Sequence, residues 1–587
     1  LIELYFSKTD KRNNKADIEP NSYYLPNRPG FVKSIHESYK NYILDEKDNN
    51  DEDLDSSYKD LFPHQKFVRD YLQSKSPSRG LLLFHGLGVG KTCASIAAAE
   101  LLLNNKNVTV MLPASLETNY INEVIKCGHK YYIPEQHWKF MPKSSLNNLK
   151  KMKKITELDE IVIKRNGGLW YSVENKESNY NKLNDNQKKQ IISQLQNIIK
   201  KKYNILHYNG ITKASLNKLT DNNKINPFDN NIIIIDEVHN FISRVINESP
   251  IGIKLYEKLL EAKNCKLLCL SGTPIINKPF EISLLINLLK GWTNLYELST
   301  NDEIDEKSLE VINGKLSQSK YIDTFSYDAI DKILKIKLLP SNFIRENRKS
   351  KSMKVMYDEE ININDRETLM LILKILNKSK TFKFKLHKTL PKKFTALPKY
   401  QEEFNELFVD YEKNEIKNKN LFMRRILGSV SFFEYTDSKL FPTIRKNEIV
   451  NVDLSEQQLK KYIDVRRNEI NKESKFNSED NEEIGQVYKA FSRALCNFTF
   501  PEEIHRPYPS ELKLLLNDMV QIDDYEKELE KTVLKDIKND EEPKEEPKEE
   551  PKEKPKEEPK EKPKEKPKEE PKEEPKEKPK EKPKEEP

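Results

Sequence analysis

Residues 81–100 read LLLFHGLGVGKTCASIAAAE. An apolar run, a glycine-rich turn and an alanine-rich run follow one another, which predicts strand, loop and helix. The chain has 15 glycines in 587 residues, yet Gly86, Gly88 and Gly90 fall within five positions. Bare backbone in such a turn lets N–H groups converge on an anion, and the N-terminus of the following helix adds its positive dipole end. The loop is therefore expected to hold the phosphates of ATP. Lys91 would reach the β- and γ-phosphates, and the Thr92 hydroxyl would hold Mg²⁺. The pattern G-x-x-x-x-G-K-[ST] asks for glycine at position 85, where this chain carries His85, so the loop is a variant.

Outward from this loop, short apolar runs alternate with helix-compatible segments: GLLLFHG, NVTVMLPA, NILHYNG, NIIIIDEVHN and KLLCLSGTP. Continuous apolar strands separated by helices predict an α/β fold with a parallel sheet covered on both faces. Ligands in such sheets sit at the carboxyl ends of the strands. NIIIIDEVHN ends there in two acids, Asp236 and Glu237. Asp236 is positioned to hold Mg²⁺, and Glu237 to orient and deprotonate the attacking water.

DEVH (236–239) and LSGTP (270–274) together resemble the superfamily 2 helicase-type ATPases of the DExH kind, in their Swi/Snf-like branch. FPHQKFVRDYL is similar to the upstream Q motif, which implies that Gln65 hydrogen-bonds adenine. MLPASLETNYINEV resembles the segment that touches a nucleic-acid backbone. LSGTPIINKPFEISLLINLL is similar to the motif that links hydrolysis to strand contact, here Ser271, Gly272 and Thr273, with Asn277 and Glu281 downstream. The resemblance implies that His239 couples the ATP site to that motif. Longer stretches, such as SYYLPNRPGFVKSIHESY and FSRALCNFTFPEEIHRPYP, are similar to helicase-like ATPases of nucleocytoplasmic large DNA viruses. Those include the poxvirus early transcription factor small subunit and nucleoside triphosphate phosphohydrolase I. The likeness runs over roughly residues 20 to 510. It implies a RecA-like lobe that closes against a second lobe supplying arginines through a Q-x-x-G-R-x-x-R motif. The chain shows no such motif, so a second lobe is expected to be truncated or encoded elsewhere, leaving turnover weak.

Composition limits the alternatives. The net charge is +6; residues 541–587 contain only Lys, Glu and Pro and carry −3, which leaves +9 on the remainder. That surplus suits contact with phosphate backbones without requiring it. The Lys/Glu/Pro repeat has no apolar residue to bury and is expected to be disordered. Five scattered cysteines (Cys93, Cys127, Cys265, Cys269, Cys496) read as reduced thiols, without zinc spacing around Cys265 and Cys269. No apolar run has the length of a membrane span, and the N-terminus is not a secretory signal. Leu1 in place of Met suggests a segment of a longer frame. Four regions are expected: an N-terminal segment and acidic linker (1–60), a RecA-like ATP-binding lobe (61–291), a mainly helical extension (292–540) and the tail (541–587). Basic clusters such as RKSKSMK and HKTLPKKF read as solvated faces rather than a groove, and Phe432, Phe433 and Tyr435 as core.

The expected function is that of an ATP- and Mg²⁺-dependent motor translocating on nucleic acid. By resemblance this is duplex DNA during viral transcription, with the viral RNA polymerase as a partner and the virion or cytoplasmic viral factory as the place. A hydrolysis-deficient scaffold that recruits the transcription machinery is the alternative. A small-molecule kinase is disfavoured by DEVH with SGTP.

Overall fold

Leucines 81 to 83 alternate faces along the strand Gly80–His85 (β1), and both faces are covered. Around it lie Asn107–Leu112 (β2), Tyr203–His207 (β3), Asn231–Ile235 (β4), Lys266–Leu270 (β5) and Val430–Phe433 (β6). All pair in parallel, in the order β6-β1-β5-β4-β2-β3. The computed structural model describes residues 16–42, 61–434 and 445–501, apart from short stretches at 104, 146–157, 159, 174, 347–353, 362–363, 379–381, 389, 447 and 477–489. The acidic linker, Tyr435, most of RKSKSMK and the Lys/Glu/Pro tail lie outside the described residues.

The period-2 rule accounts for the two cores. Leu81, Leu83, Val108, Val110, Ile232, Ile234, Leu268 and Leu270 face one side. Leu82, Met111, Ile233, Ile235, Leu267 and Cys269 face the other. The first side is covered by Pro63–Tyr71 (α1), Lys91–Leu102 (α2) and Glu117–Cys127 (α3). α2 is apolar around most of its circumference, from Ala94 to Ala99, because it is packed between the sheet and its neighbours. The second side is covered by Val238–Ile246 (α4), Pro250–Glu261 (α5) and Glu281–Lys290 (α6), with Phe404, Phe408 and Phe422. Gly80 lets α6 approach closely: a Cβ there would meet the Leu289 carbonyl oxygen at 2.8 Å.

The α/β expectation holds, but the boundary at 291 does not close the sheet. β6 comes from residues 430–433 and pairs with β1, so the lobe is completed by chain far downstream. Between α6 and β6 the chain is not mainly helical. Strands Thr293–Thr300, Ile322–Asp328, Ile333–Leu338, Phe384–Leu386 and Lys392–Phe394 pair antiparallel around the first of them. Helices Glu306–Ser317 and Asp365–Asn377 cover this sheet, burying Leu298, Ile312, Leu316, Leu334, Ile336, Ile372 and Phe384. Lys-rich composition hid the alternation: Phe382 and Phe384 point inward while Lys383 and Lys385 point out. The helical expectation does hold for Glu456–Phe476 and Ala490–Asn497. By compactness the chain divides into residues 1–453 with 469–488, and residues 454–468 with 489–587. In the second unit Gln458 Nε2 donates to the Leu495 carbonyl at 2.6 Å.

A second correction concerns the thiols. Cys93 and Cys127 form a disulfide, with Cα atoms 5.6 Å apart. They are 34 residues apart in sequence, but packing brings the first turn of α2 against the last residue of α3. Cys265 and Cys269 are free and buried, as expected, and Cys496 is free and exposed. Among the described residues no helix is long and apolar enough to cross a membrane.

Candidate active site

The glycine loop turns because two of its residues occupy the left-handed region: Gly88 at φ 78° and Gly90 at φ 79°. An L-side chain is strained there, and a Cβ on Gly90 would also meet Gln65 Nε2 at 2.4 Å. Lys91 and Thr92 open α2 immediately after it. Lys91 Nζ donates to the carbonyls of His85 (3.1 Å) and Gly86 (2.9 Å), so the ammonium lies across the mouth of the loop. Burial lowers its pKa, while the charges of Glu237 and Asp236 act in the opposite direction.

Those acids follow β4 at the carboxyl edge of the sheet. Asp236 Oδ1 accepts the Glu237 N–H at 3.0 Å. Burial, and then the neighbouring Glu237, push the Asp236 carboxyl up to about 6. Two adjacent carboxylates with one partly desolvated form a site that a cation would stabilise. Glu237 is a non-glycine residue in the left-handed region (φ 47°), and its side chain is 40% exposed. Strain of this kind costs of order 1–3 kcal/mol and clusters at functional sites.

The coupling residues meet. His239 Nδ1 lies 2.9 Å from Ser271 Oγ and 3.4 Å from Glu237 Oε2. Ser271 Oγ in turn accepts the Thr273 N–H at 3.0 Å. Gly272 packs at the loop, where an added Cβ would approach Leu87 at 3.4 Å and Lys91 Nζ at 3.8 Å. Glu281 is buried and accepts the backbone N–H groups of Ile276 (2.6 Å), Asn277 (3.1 Å) and Lys278 (3.3 Å). Its charge is thus spread over backbone dipoles, and it fixes the segment that follows SGTP.

Gln65 is 4% exposed and tied to protein: its Oε1 accepts from the Phe62 N–H (3.0 Å) and its Nε2 donates to the Gly90 carbonyl (3.2 Å). It joins α1 to the glycine loop. Beside it the rings of His64 and Phe433 stack at 4.1 Å with 12° between planes, and Phe62 stacks on His64 at 5.8 Å. Phe433 thus belongs to the site rather than to a core, and Phe432 is 63% exposed. The variant residue His85 is fully buried, with Nε2 2.9 Å from Ser431 Oγ on β6. Burial, then His64 and Lys91, pull its pKa down to about 4. It fastens the last strand of the sheet to the start of the loop.

Sequence reasoning missed three participants. Tyr208, after β3, donates from its hydroxyl to the backbone carbonyls of Asp236 and Glu237, at 3.1 Å each. Its place in NILHYNG, at a strand's carboxyl end, was the available signal. His64 and Ser431 gave none, because their roles depend on β6 pairing with β1.

Residues 64–297 match the model of the SNF2-related domain. The chain is 30% identical over 272 residues to a protein of Acanthamoeba polyphaga mimivirus named "Putative ATP-dependent RNA helicase", covering 46% of this chain and 39% of that one. It is 26% identical over 314 residues to "Putative helicase 087L" of Invertebrate iridescent virus 3, covering 50% of this chain and 26% of that one. It is 22% identical over 312 residues to the "Termination factor NPH-I homolog" of African swine fever virus, covering 51% of this chain and 35% of that one. The matches therefore span well under half the length of these relatives. With the loop, the acids and the SGTP segment assembled as they are, residues 64–297 match an SNF2-related domain, and about half of the chain is similar to helicase-type proteins of nucleocytoplasmic large DNA viruses.

Proposed function

We propose that the chain is a nucleic-acid-dependent ATPase that hydrolyses ATP with Mg²⁺ to translocate along duplex DNA during viral transcription. The observation that carries this reading is the contact of His239 with both Glu237 and Ser271, which ties the hydrolytic acid to the SGTP segment. Gly86, Gly88 and Gly90 form the phosphate loop, with Lys91 at its mouth, and Thr92 and Asp236 are the residues for Mg²⁺. Held by those two residues, a divalent cation would supply charge neutralisation to the phosphates. Glu237 takes the proton of the water whose oxygen bonds to the γ-phosphorus, as the bond to the β–γ bridging oxygen breaks and ADP leaves. Gln65 holds the loop to α1, close to the Phe62–His64–Phe433 stack where the base would lie. His239, Ser271, Gly272 and Thr273 report the state of the phosphate site to the strand-contacting surface.

The relatives' names, putative ATP-dependent RNA helicase and termination factor homolog, support a role in viral transcription, and the proposal extends this to a place beside the viral RNA polymerase, in the virion or cytoplasmic viral factory. The test is steady-state ATP hydrolysis with and without duplex DNA, single-stranded DNA and RNA. Turnover stimulated most by duplex DNA is expected. ATP binding with no turnover under any of these conditions would instead favour a recruiting scaffold.

A further inference from the structure

From Thr368 to Gln401 the chain has nine lysines and no aspartate, glutamate or arginine. Residues 368–377 of this stretch belong to the helix Asp365–Asn377, and the lysines from 385 onward stand along a sheet edge. Lys385 points outward from Phe384–Leu386, and Lys392–Phe394 is exposed along its whole length. Both strands pair with Thr293–Thr300, so the two lie along one edge of the inserted sheet. Lys385, Lys388, Lys392, Lys393 and Lys399 are all exposed, and among the described residues none has a carboxylate partner. The acids beside the row are Glu297 on the paired strand, Asp302, which accepts the backbone N–H of Lys383 at 2.6 Å, and Glu402 and Glu403 beyond Lys399. A row of five exposed cations, none of them in an ion pair among the described residues, is a candidate polyanion surface.

The chemistry selects among polyanions. Lysine is a point charge without the planar fork of arginine, so the row suits phosphates rather than base edges. The aromatic rings nearby are occupied by cations: Lys393 lies 5.7 Å over Trp292, Lys392 5.8 Å over Phe394 and Lys399 5.9 Å over Tyr400. Each ring has one face already held by a lysine, which leaves less of it for stacking unstacked bases and favours a duplex over a single strand.

The ribbon is also tied to the catalytic side of the sheet. Asn287 on α6 exchanges hydrogen bonds with Leu397, donating at 3.0 Å and accepting at 2.8 Å. Ser283 Oγ donates to the Pro398 carbonyl at 2.6 Å. α6 begins at Glu281, the acid that holds the segment after SGTP.

We propose that Lys385, Lys388, Lys392, Lys393 and Lys399 form a second, sequence-independent contact for the phosphate backbone of duplex DNA, on a ribbon anchored to α6 through Leu397 and Pro398. This rests on the reading of the chain as a nucleic-acid motor, and the two are separable by experiment. Binding of a labelled mixed-sequence duplex to the full chain is measured by fluorescence anisotropy at several salt concentrations. The triple variants K385A/K392A/K393A and K385R/K392R/K393R are compared with wild type. The alanine variant should bind roughly tenfold or more weakly, with the log–log salt slope reduced by about 2–3, since each lost phosphate contact removes about 0.9. The arginine variant should keep the wild-type slope, and both should bind a fluorescent ATP analogue as wild type does. An alanine variant with wild-type slope and affinity overturns the proposal while leaving the motor reading intact. Loss of binding to phosphatidylserine vesicles but not to duplex overturns it in favour of a membrane surface. Failure of duplex to stimulate wild-type turnover overturns the motor reading instead.

Discussion

Glu237 occupies a conformation that few glutamates adopt, and the helix after it begins only because the backbone accepts that strain. Glu237→Gln keeps the shape and the His239 contact but removes the base. ATP affinity should stay within about twofold while turnover falls by at least roughly 10²-fold, read from nucleotide titration and steady-state kinetics. Asp236 and His85 make opposite demands on pH. The Asp236 carboxyl is raised to about 6, so the folded, metal-free protein holds that proton more tightly than the unfolded chain does. Its stabilising effect is present at low pH and is lost as pH rises through 6. His85 is lowered to about 4, so its contribution is complete above the unfolded value and is lost as pH falls toward 4. Asp236→Asn should therefore raise metal-free stability at pH 7.5 by about 1–3 kcal/mol while abolishing turnover. In that variant the melting temperature should climb steadily from pH 4.5 to 6.5, because the His85 limb is left unopposed. A thermal scan over pH that shows wild-type behaviour would remove the buried-carboxylate argument. Lys91, Asp236 and Glu237 were legible in the sequence because a phosphate loop and a strand-end acid pair are local patterns. Tyr208 and His64 were not, since their partners come from other strands.

At the scale of elements, the segment after SGTP is held by one buried carboxylate. Glu281→Ala would leave the N–H groups of Ile276, Asn277 and Lys278 without their acceptor. Leaving such groups unmet costs of order 1–3 kcal/mol each way the loop cannot relax, so a global loss of about 2–4 kcal/mol is expected. Denaturant melts would measure it, and nucleic-acid stimulation should fall more than basal turnover. The Cys93–Cys127 link joins α2 to α3 behind the phosphate loop. Alkylation without reductant should modify Cys496 in the native state, and reduction should add two thiols in the denatured state. Reduction should also lower stability by about 3–4 kcal/mol in the chain-entropy view. Element type was legible for β1 to β5, whose apolar runs are bounded by turns. It was not legible for the inserted sheet, whose strands carry polar and charged residues on their outer face and whose edge strand Phe384–Leu386 is only 3 residues long.

At the scale of the molecule, the lobe is closed by residues that lie more than three hundred positions after β1. A chain ending near residue 300 would retain the matched SNF2-related stretch yet lose β6 and the covering side chains Phe404, Phe408 and Phe422. It would expose the β1 edge and part of the second core. Residues 16–300 should aggregate or melt without cooperativity, whereas residues 16–434 should unfold in a single cooperative transition with the five parallel pairings intact. Calorimetry of the two fragments distinguishes these outcomes, and a stable 16–300 fragment would show β6 to be accessory.

The amino-acid order alone determined the alternation of strand and helix, the glycine loop, the acid pair and the family that they resemble. These rest on contacts between residues close in sequence, where spacing specifies geometry. Tertiary structure decided the rest: the strand that pairs with β1, the His64–Phe433 stack, the pairing of Cys93 with Cys127, and the rim on which the lysines stand. Each joins segments distant in sequence, and which distant segments meet is set by how two apolar faces of one sheet are covered, a quantity that no single stretch contains.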